Sequence, residues 1–116
     1  MICKIAPDQI IGSKMKIAKS FLGRLRGYMG HKFPPYEGLL IDPCQSVHTF
    51  FMNFNIHVVC LDRFNNVTKV YENLKPRRLT FWDFKTVRIL ELPVHYYQQC
   101  PVRPGDKLIF EETCID

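Results

Sequence analysis

No stretch of this chain approaches the roughly 20 consecutive apolar residues that a membrane-crossing helix requires, so no span is expected. The opening residues, Met1-Ile2-Cys3-Lys4-Ile5-Ala6-Pro7-Asp8, lack the basic segment and apolar core of an export signal. The expected location is therefore the cytoplasm. There is no Cys-x-x-Cys pair, which removes the simplest signature of a structural zinc site or a thioredoxin-like redox centre. Repeats, low-complexity tracts and Gly- or Ser-rich linkers are also missing. With 116 residues the chain can bury one hydrophobic core but not two, and a single domain over 1–116 is expected.

The five cysteines stand at positions 3, 44, 60, 100 and 114. An odd number, with no export signal, points to reduced thiols instead of a disulfide framework. Hydrophobic residues make up 47% and charged residues 23%, a balance that excludes wholesale disorder. The net charge of +5 is carried by residues 1–40, which hold seven bases against two acids. Such a third can face phosphate or an acidic partner. No stacking aromatics interleave with these bases as single-strand binders require, so a solvated basic surface is the preferred reading.

The coarse pattern is β-rich. Ile2–Ile5 and Lys14–Ile17 read as short strands, Gly38–Ile41 as another that ends at Asp42-Pro43. Ser20 is placed to cap a short helix over Phe21–Arg26, with Gly27 as its left-handed stop. Val47–Met52 and Ile56–Leu61 are rich in β-branched and aromatic residues and read as two adjacent strands, the second apolar on both faces. Val67–Tyr71, Val87–Leu92 and Lys107–Glu111 complete the strands, and Pro93 opens a possible short helix over Val94–Gln99. The expected class is α+β: a compact β-rich domain built on a strongly bent, mainly antiparallel sheet with one or two short helices.

Several motifs occur in a telling order: Arg24-x-x-Gly27-x-Met29, Glu37-Gly38-Leu39-Leu40, Pro43-Cys44-x-x-Val47-His48-Thr49-Phe50-Phe51-Met52, Leu61-Asp62, Leu90-Glu91-Leu92 and Gly105-Asp106. In this the chain resembles the domain of unknown function (DUF) family 192, from about Ile17 to Phe110. The resemblance implies a small, strongly bent β-sheet fold, found mostly in prokaryotes, with no accepted activity. Some members of that family look like secreted or pilus-associated proteins. The chain departs from the family pattern at Asn55 and His57, where proline and aspartate are usual. It departs again at Tyr28, which precedes Met29 in place of leucine, and at Val94-His95, which replaces a small Ala-Gly turn.

Cys44-x-x-x-His48 invites a metal or nucleophile reading. On an extended strand, at roughly 3.3 Å per residue, the two side chains would lie about 13 Å apart, too far for a shared metal or a Cys–His dyad. No metal and no cofactor are therefore expected, unless a sharp bend after Pro43 closes the gap. Strand parity would place Ser46, His48, Phe50 and Met52 on one face, able to line a small pocket or to belong to the core. Glu91 sits inside an apolar run, where an ionised carboxylate needs a partner. Arg24, Arg78 and His48 are the candidates, a Glu–Arg pair being the expected arrangement, with a pocket-edge carboxyl of raised pKa as the alternative. The segment Lys75-Pro76-Arg77-Arg78-Leu79-Thr80-Phe81-Trp82 is basic and then aromatic. Trp82 in it either folds over the sheet or offers an exposed binding surface with Arg77 and Arg78.

The candidate site residues are thus Arg24, Cys44, His48, Phe50, Met52, Arg77, Arg78, Trp82 and Glu91, with no catalytic assignment. The favoured function is a non-catalytic module that binds a small ligand or a protein partner. A hydrolase-like or metal- and thiol-dependent enzyme using His48, Glu91 and a cysteine is one alternative. A nucleic-acid or other polyanion binder using the basic N-terminal third is the other.

Overall fold

The structure is a computed structural model that describes residues 1–112; the fifth cysteine, Cys114, lies outside the described residues. Eight strands and one helix follow in the order β1 (Ile2–Ile5), β2 (Gln9–Gly12), β3 (Met15–Ala18), α1 (Phe21–Arg26), β4 (Gly38–Ile41), β5 (Ile56–Leu61), β6 (Val67–Leu74), β7 (Arg88–Pro93) and β8 (Leu108–Glu111). They form a five-stranded sheet in the order β3-β4-β7-β5-β6 and a three-stranded sheet in the order β2-β1-β8. All pairings are antiparallel except β3 with β4. Among the described residues no helix is long and apolar enough to cross a membrane.

The inner strands β4, β5 and β7 are almost continuously apolar because the larger sheet is buried on both faces. Alternation then sorts their side chains. Leu40, Val59, Leu61, Leu90 and Leu92 point to one side, where Cys3, Val102 and Leu108 meet them. Leu39, Ile41, Ile56, Val58, Cys60 and Ile89 point to the other, where they pack with Tyr28 and Met52. Glu91 has the parity of Ile89 and so belongs to this second side. Its backbone is opposite Leu39 on β4 and Val58 on β5.

The short helix forms as its sequence dictates. The Ser20 hydroxyl accepts from the Gly23 N–H at 3.0 Å, a standard N-cap. Gly27 ends the helix with φ 51° and ψ −127°, a conformation open to glycine alone. No residue of α1 is buried.

Two expected elements are absent. Val47–Met52 is not a strand: His48 alone pairs, as an isolated bridge to Leu79, and Phe51 turns the chain with φ 64°. Side-chain hydrogen bonds replace the sheet ladder here. The Thr49 hydroxyl donates to the Lys75 carbonyl at 2.6 Å and accepts from the Arg78 N–H at 2.8 Å. The Thr80 hydroxyl accepts from the Val47 N–H at 2.9 Å. Main-chain bonds from Thr49 to Arg78 and from Thr80 to Val47 close the zipper. The parity read for 46–52 therefore fails beyond His48, leaving Phe50 exposed and Met52 buried. Pro93 does not open a helix either. It closes β7, and its carbonyl accepts the N–H groups of Tyr96 and Tyr97 in a turn. Long-range bonds hold that turn, because the Tyr97 hydroxyl donates to Ile11 and its carbonyl meets His57. Strand β2 had no alternating pattern to announce it.

The Thr49 zipper makes a clear prediction. Thr49→Val keeps the shape of a fully buried side chain but deprives the Lys75 carbonyl and Arg78 N–H of their partner, a loss of about 1–3 kcal/mol. Urea unfolding should show a lower midpoint with unchanged slope; an unchanged midpoint would mean the two loops are held by other contacts.

Candidate functional site

A cavity of about 340 Å³ opens beside the second face of the larger sheet. Three segments wall it. The helix and its C-terminal stop supply Phe21, Arg24, Leu25 and Gly27; the segment after β4 supplies Cys44, Gln45, Ser46, Val47, His48 and Met52; the loop before β7 supplies Trp82. Glu91 of β7 completes the lining. The structure thus brings Arg24, Cys44, His48, Met52, Trp82 and Glu91 to one cavity. Phe50, Arg77 and Arg78 do not line it.

Glu91 is the unusual member. It is 1% exposed, and its Oε1 is buried with no hydrogen-bond partner. The expected Glu–Arg pair does not form: the described ion pairs join Lys4 to Asp8 and Glu111, and Arg88 to Asp42. Arg24 instead spends its guanidinium on main-chain carbonyls, donating to Lys19 at 3.3 Å and Pro43 at 3.1 Å, so it fastens the helix to the end of β4. Arg78 donates to the Arg77 carbonyl at the surface. Burial without a cation disfavours the charged carboxylate, and the Glu91 carboxyl is pushed up to about 8. At neutral pH it is a neutral acid. Gly27 makes room for it, because a Cβ there would stand 2.9 Å from Oε1.

Cys44 and His48 share the cavity wall without acting as a pair. The Cys44 thiol donates to the Ser46 carbonyl at 3.1 Å, and burial pushes it up to about 11, leaving little thiolate to attack anything. The Nδ1 of His48 accepts the Phe50 N–H at 3.2 Å, which assigns the ring proton to Nε2. Among the described residues no three His, Cys, Asp or Glu side chains are grouped to hold a metal.

Trp82 neither covers the sheet nor stands free. Its indole N–H donates to the Gln45 amide oxygen at 2.6 Å, and its ring meets Phe84 edge-on at 4.2 Å. It is 53% exposed at the cavity mouth. The residues sequence reading passed over are Phe21, Leu25, Gln45 and Gly27. Phe21 and Leu25, one turn apart, carried a signal: an apolar i, i+4 pair on a helix too short to form its own core.

His57, the substitution for the usual aspartate, is on the other face of the sheet. It is fully buried, accepts the Asn73 N–H at Nδ1 (3.0 Å) and donates from Nε2 to the Tyr97 carbonyl (2.7 Å). Both ring nitrogens serve the fold.

A family model matches residues 4–110, and its description is DUF192, an "Uncharacterized ACR". The chain belongs to the DUF192 family. No curated protein matches it. Two solved structures share the fold. A protein of unknown function from Novosphingobium aromaticivorans superposes with a TM-score of 0.75 at 13% identity, over 95% of this chain and 84% of that one. A Sinorhizobium meliloti protein, provisionally described as a transcription regulator, superposes with a TM-score of 0.72 at 19% identity, over 93% and 89%. At such identities the likeness is one of fold, and DUF192 membership brings no established activity.

The neutral acid has a consequence for stability. Its folded pKa of about 8 lies above the ordinary glutamate value of 4.5, so the folded state holds the proton more tightly. Its favourable contribution is complete below about pH 4.5 and is lost as pH rises to about 8. The unfolding free energy of this DUF192 protein should fall across that window with a slope approaching 1.4 kcal/mol per pH unit from this group. Glu91→Gln should flatten the difference, as measured by urea unfolding at stepped pH; equal slopes in both proteins would assign the pH dependence elsewhere.

Proposed function

We propose that this DUF192 protein is a non-catalytic, single-domain binding module whose cavity takes a small neutral ligand, with Glu91 as the internal hydrogen-bonding group. One observation carries the reading: a buried carboxyl, unpartnered at Oε1, lines a cavity that mixes apolar side chains such as Phe21, Leu25, Met52 and Trp82 with the polar Arg24, Gln45 and His48. Buried polar groups are nearly always paired, and an unpaired one costs about 1–3 kcal/mol. A ligand that offers an acceptor and a donor, as a carboxamide does, would satisfy a neutral carboxyl on both its atoms. Arg24 and Arg26 at the cavity wall disfavour a cationic ligand. The protonated thiol of Cys44 weighs against the thiol-enzyme alternative. We place the protein in the cytoplasm; the four described cysteines are free thiols, as a reducing compartment would keep them.

The test uses Trp82, the only tryptophan, which lines the cavity. Benzamide should change its emission saturably, and benzoate and benzamidine should do so more weakly. Glu91→Leu removes the unpaired polar atom, so it should leave thermal stability unchanged or raise it by up to about 1–3 kcal/mol, while abolishing the benzamide response. A Glu91→Leu protein that melts several degrees lower would make Glu91 a structural residue and sink the reading.

A further inference from the structure

Around the cavity mouth the surface departs from that of an ordinary soluble domain. Of the thirteen large hydrophobic side chains exposed among the described residues, ten lie in the segments 19–33, 44–55 and 75–85. The same segments hold eight of the sixteen Lys and Arg residues and one of the eleven acids, a charge of +7, and leave the rest of the chain at −2. Sequence order hides this, because the bases of residues 19–33 and those of 75–85 are far apart in the chain. Folding brings them together: the segments share the cavity wall, the Asn53 amide donates to the His31 carbonyl, and the Thr49 zipper ties 47–49 to 75–80.

The details fit a surface that enters a nonaqueous layer. Helix α1 buries none of its residues and displays Phe21, Leu22 and Leu25. The loop before β7 displays Phe81, Trp82 and Phe84, the last 80% exposed. None of the eight cations in these segments forms an ion pair with the described residues. A lone exposed apolar residue needs no explanation, but ten gathered with eight bases in three segments that meet in space mark an interaction site.

We propose that this face docks onto an anionic lipid surface, with the Phe, Trp and Leu side chains entering the headgroup–acyl boundary and the exposed bases Lys19, Arg26, Lys32, Lys75, Arg77, Arg78 and Lys85 held at phosphate level. Apolar insertion and attraction to anionic headgroups together give the reversible association of interfacial proteins. Two features favour lipid over a nucleic acid. Leu22, Leu25 and Leu79 add apolar area that cannot stack on bases, and Phe21, Leu25 and Trp82 wall a cavity instead of lining a groove. The bilayer accepts both kinds of side chain. The cavity, facing the membrane, would then draw its ligand from that phase.

The experiment is cosedimentation with vesicles of phosphatidylcholine alone or phosphatidylcholine with phosphatidylserine, read together with Trp82 emission. The wild-type protein should sediment with the anionic vesicles, shift its emission to the blue, and release as salt is raised. It should stay in solution with phosphatidylcholine alone. Arg77→Glu with Arg78→Glu should weaken sedimentation roughly tenfold or more. Phe81→Ser with Phe84→Ser should abolish the blue shift while the circular dichroism stays unchanged, these side chains being exposed. Absence of the wild-type protein from the anionic pellet overturns the proposal. So does a salt-sensitive complex with an oligonucleotide or polyglutamate when anionic vesicles leave Trp82 unshifted, which would assign the face to a polyanion or an acidic protein.

Discussion

Alternation along β7 sends Leu90 and Leu92 to one side of the larger sheet and Ile89 and Glu91 to the other, and hydrogen bonding to β4 and β5 on both flanks fixes that register. The carboxyl of Glu91 is carried below the surface as a consequence, and no cation follows it. Its surroundings conform to this constraint. Gly27 ends the helix in a conformation that leaves space for the carboxyl, Arg24 turns to main-chain carbonyls, and Met52 and Ile41 close the apolar wall. A neutral acid is the outcome that burial dictates.

The same arrangement explains why the cavity does not read as an active site built around its cysteine. Cys44 and His48 do meet the same space, because the chain after β4 bends where an extended strand would have kept them apart. Yet each is engaged with the main chain two residues on, Cys44 through Ser46 and His48 through Phe50. Such local bonds compete with longer-range pairing and keep the two side chains from forming a dyad. What remains is one neutral carboxyl among apolar side chains, with Arg24, Gln45 and His48 as polar neighbours, a composition suited to holding a molecule.

Much of the fold was legible in the sequence. The Ser20 cap, the Gly27 stop and the uninterrupted apolar runs of β4, β5 and β7 are local signals, and each produced the expected element. The family resemblance rested on Gly27, on parts of β4 and β7, and on Pro43–Met52, whose strand reading failed. Where reading failed, tertiary contacts outweighed local propensity. Residues 47–52 have strand composition, but the Thr80 hydroxyl and the Arg78 carbonyl take the N–H groups of Val47 and Thr49, and the Thr49 hydroxyl serves Lys75 and Arg78 in return. Residues 94–99 have a helix-opening proline, but Tyr97 is claimed by His57 and Ile11. The site was half visible: Glu91 stood out as a carboxyl in an apolar run, whereas its lack of a partner could only be seen once Arg24 had been placed. The one-sided charge of the cavity mouth was invisible for a related reason, since sequence order puts its two basic segments in different thirds of the chain.

The most direct test of the account is the titration of Glu91 itself, followed by the carboxyl carbon chemical shift in protein labelled with carbon-13 at glutamate, with Glu91→Gln used for assignment. The account predicts one glutamate that stays protonated through neutral pH and titrates at about 8. A Glu91 resonance that titrates near the ordinary glutamate value of 4.5 would mean an ionised and compensated carboxylate, and would contradict the unpartnered neutral acid on which the proposed ligand site rests.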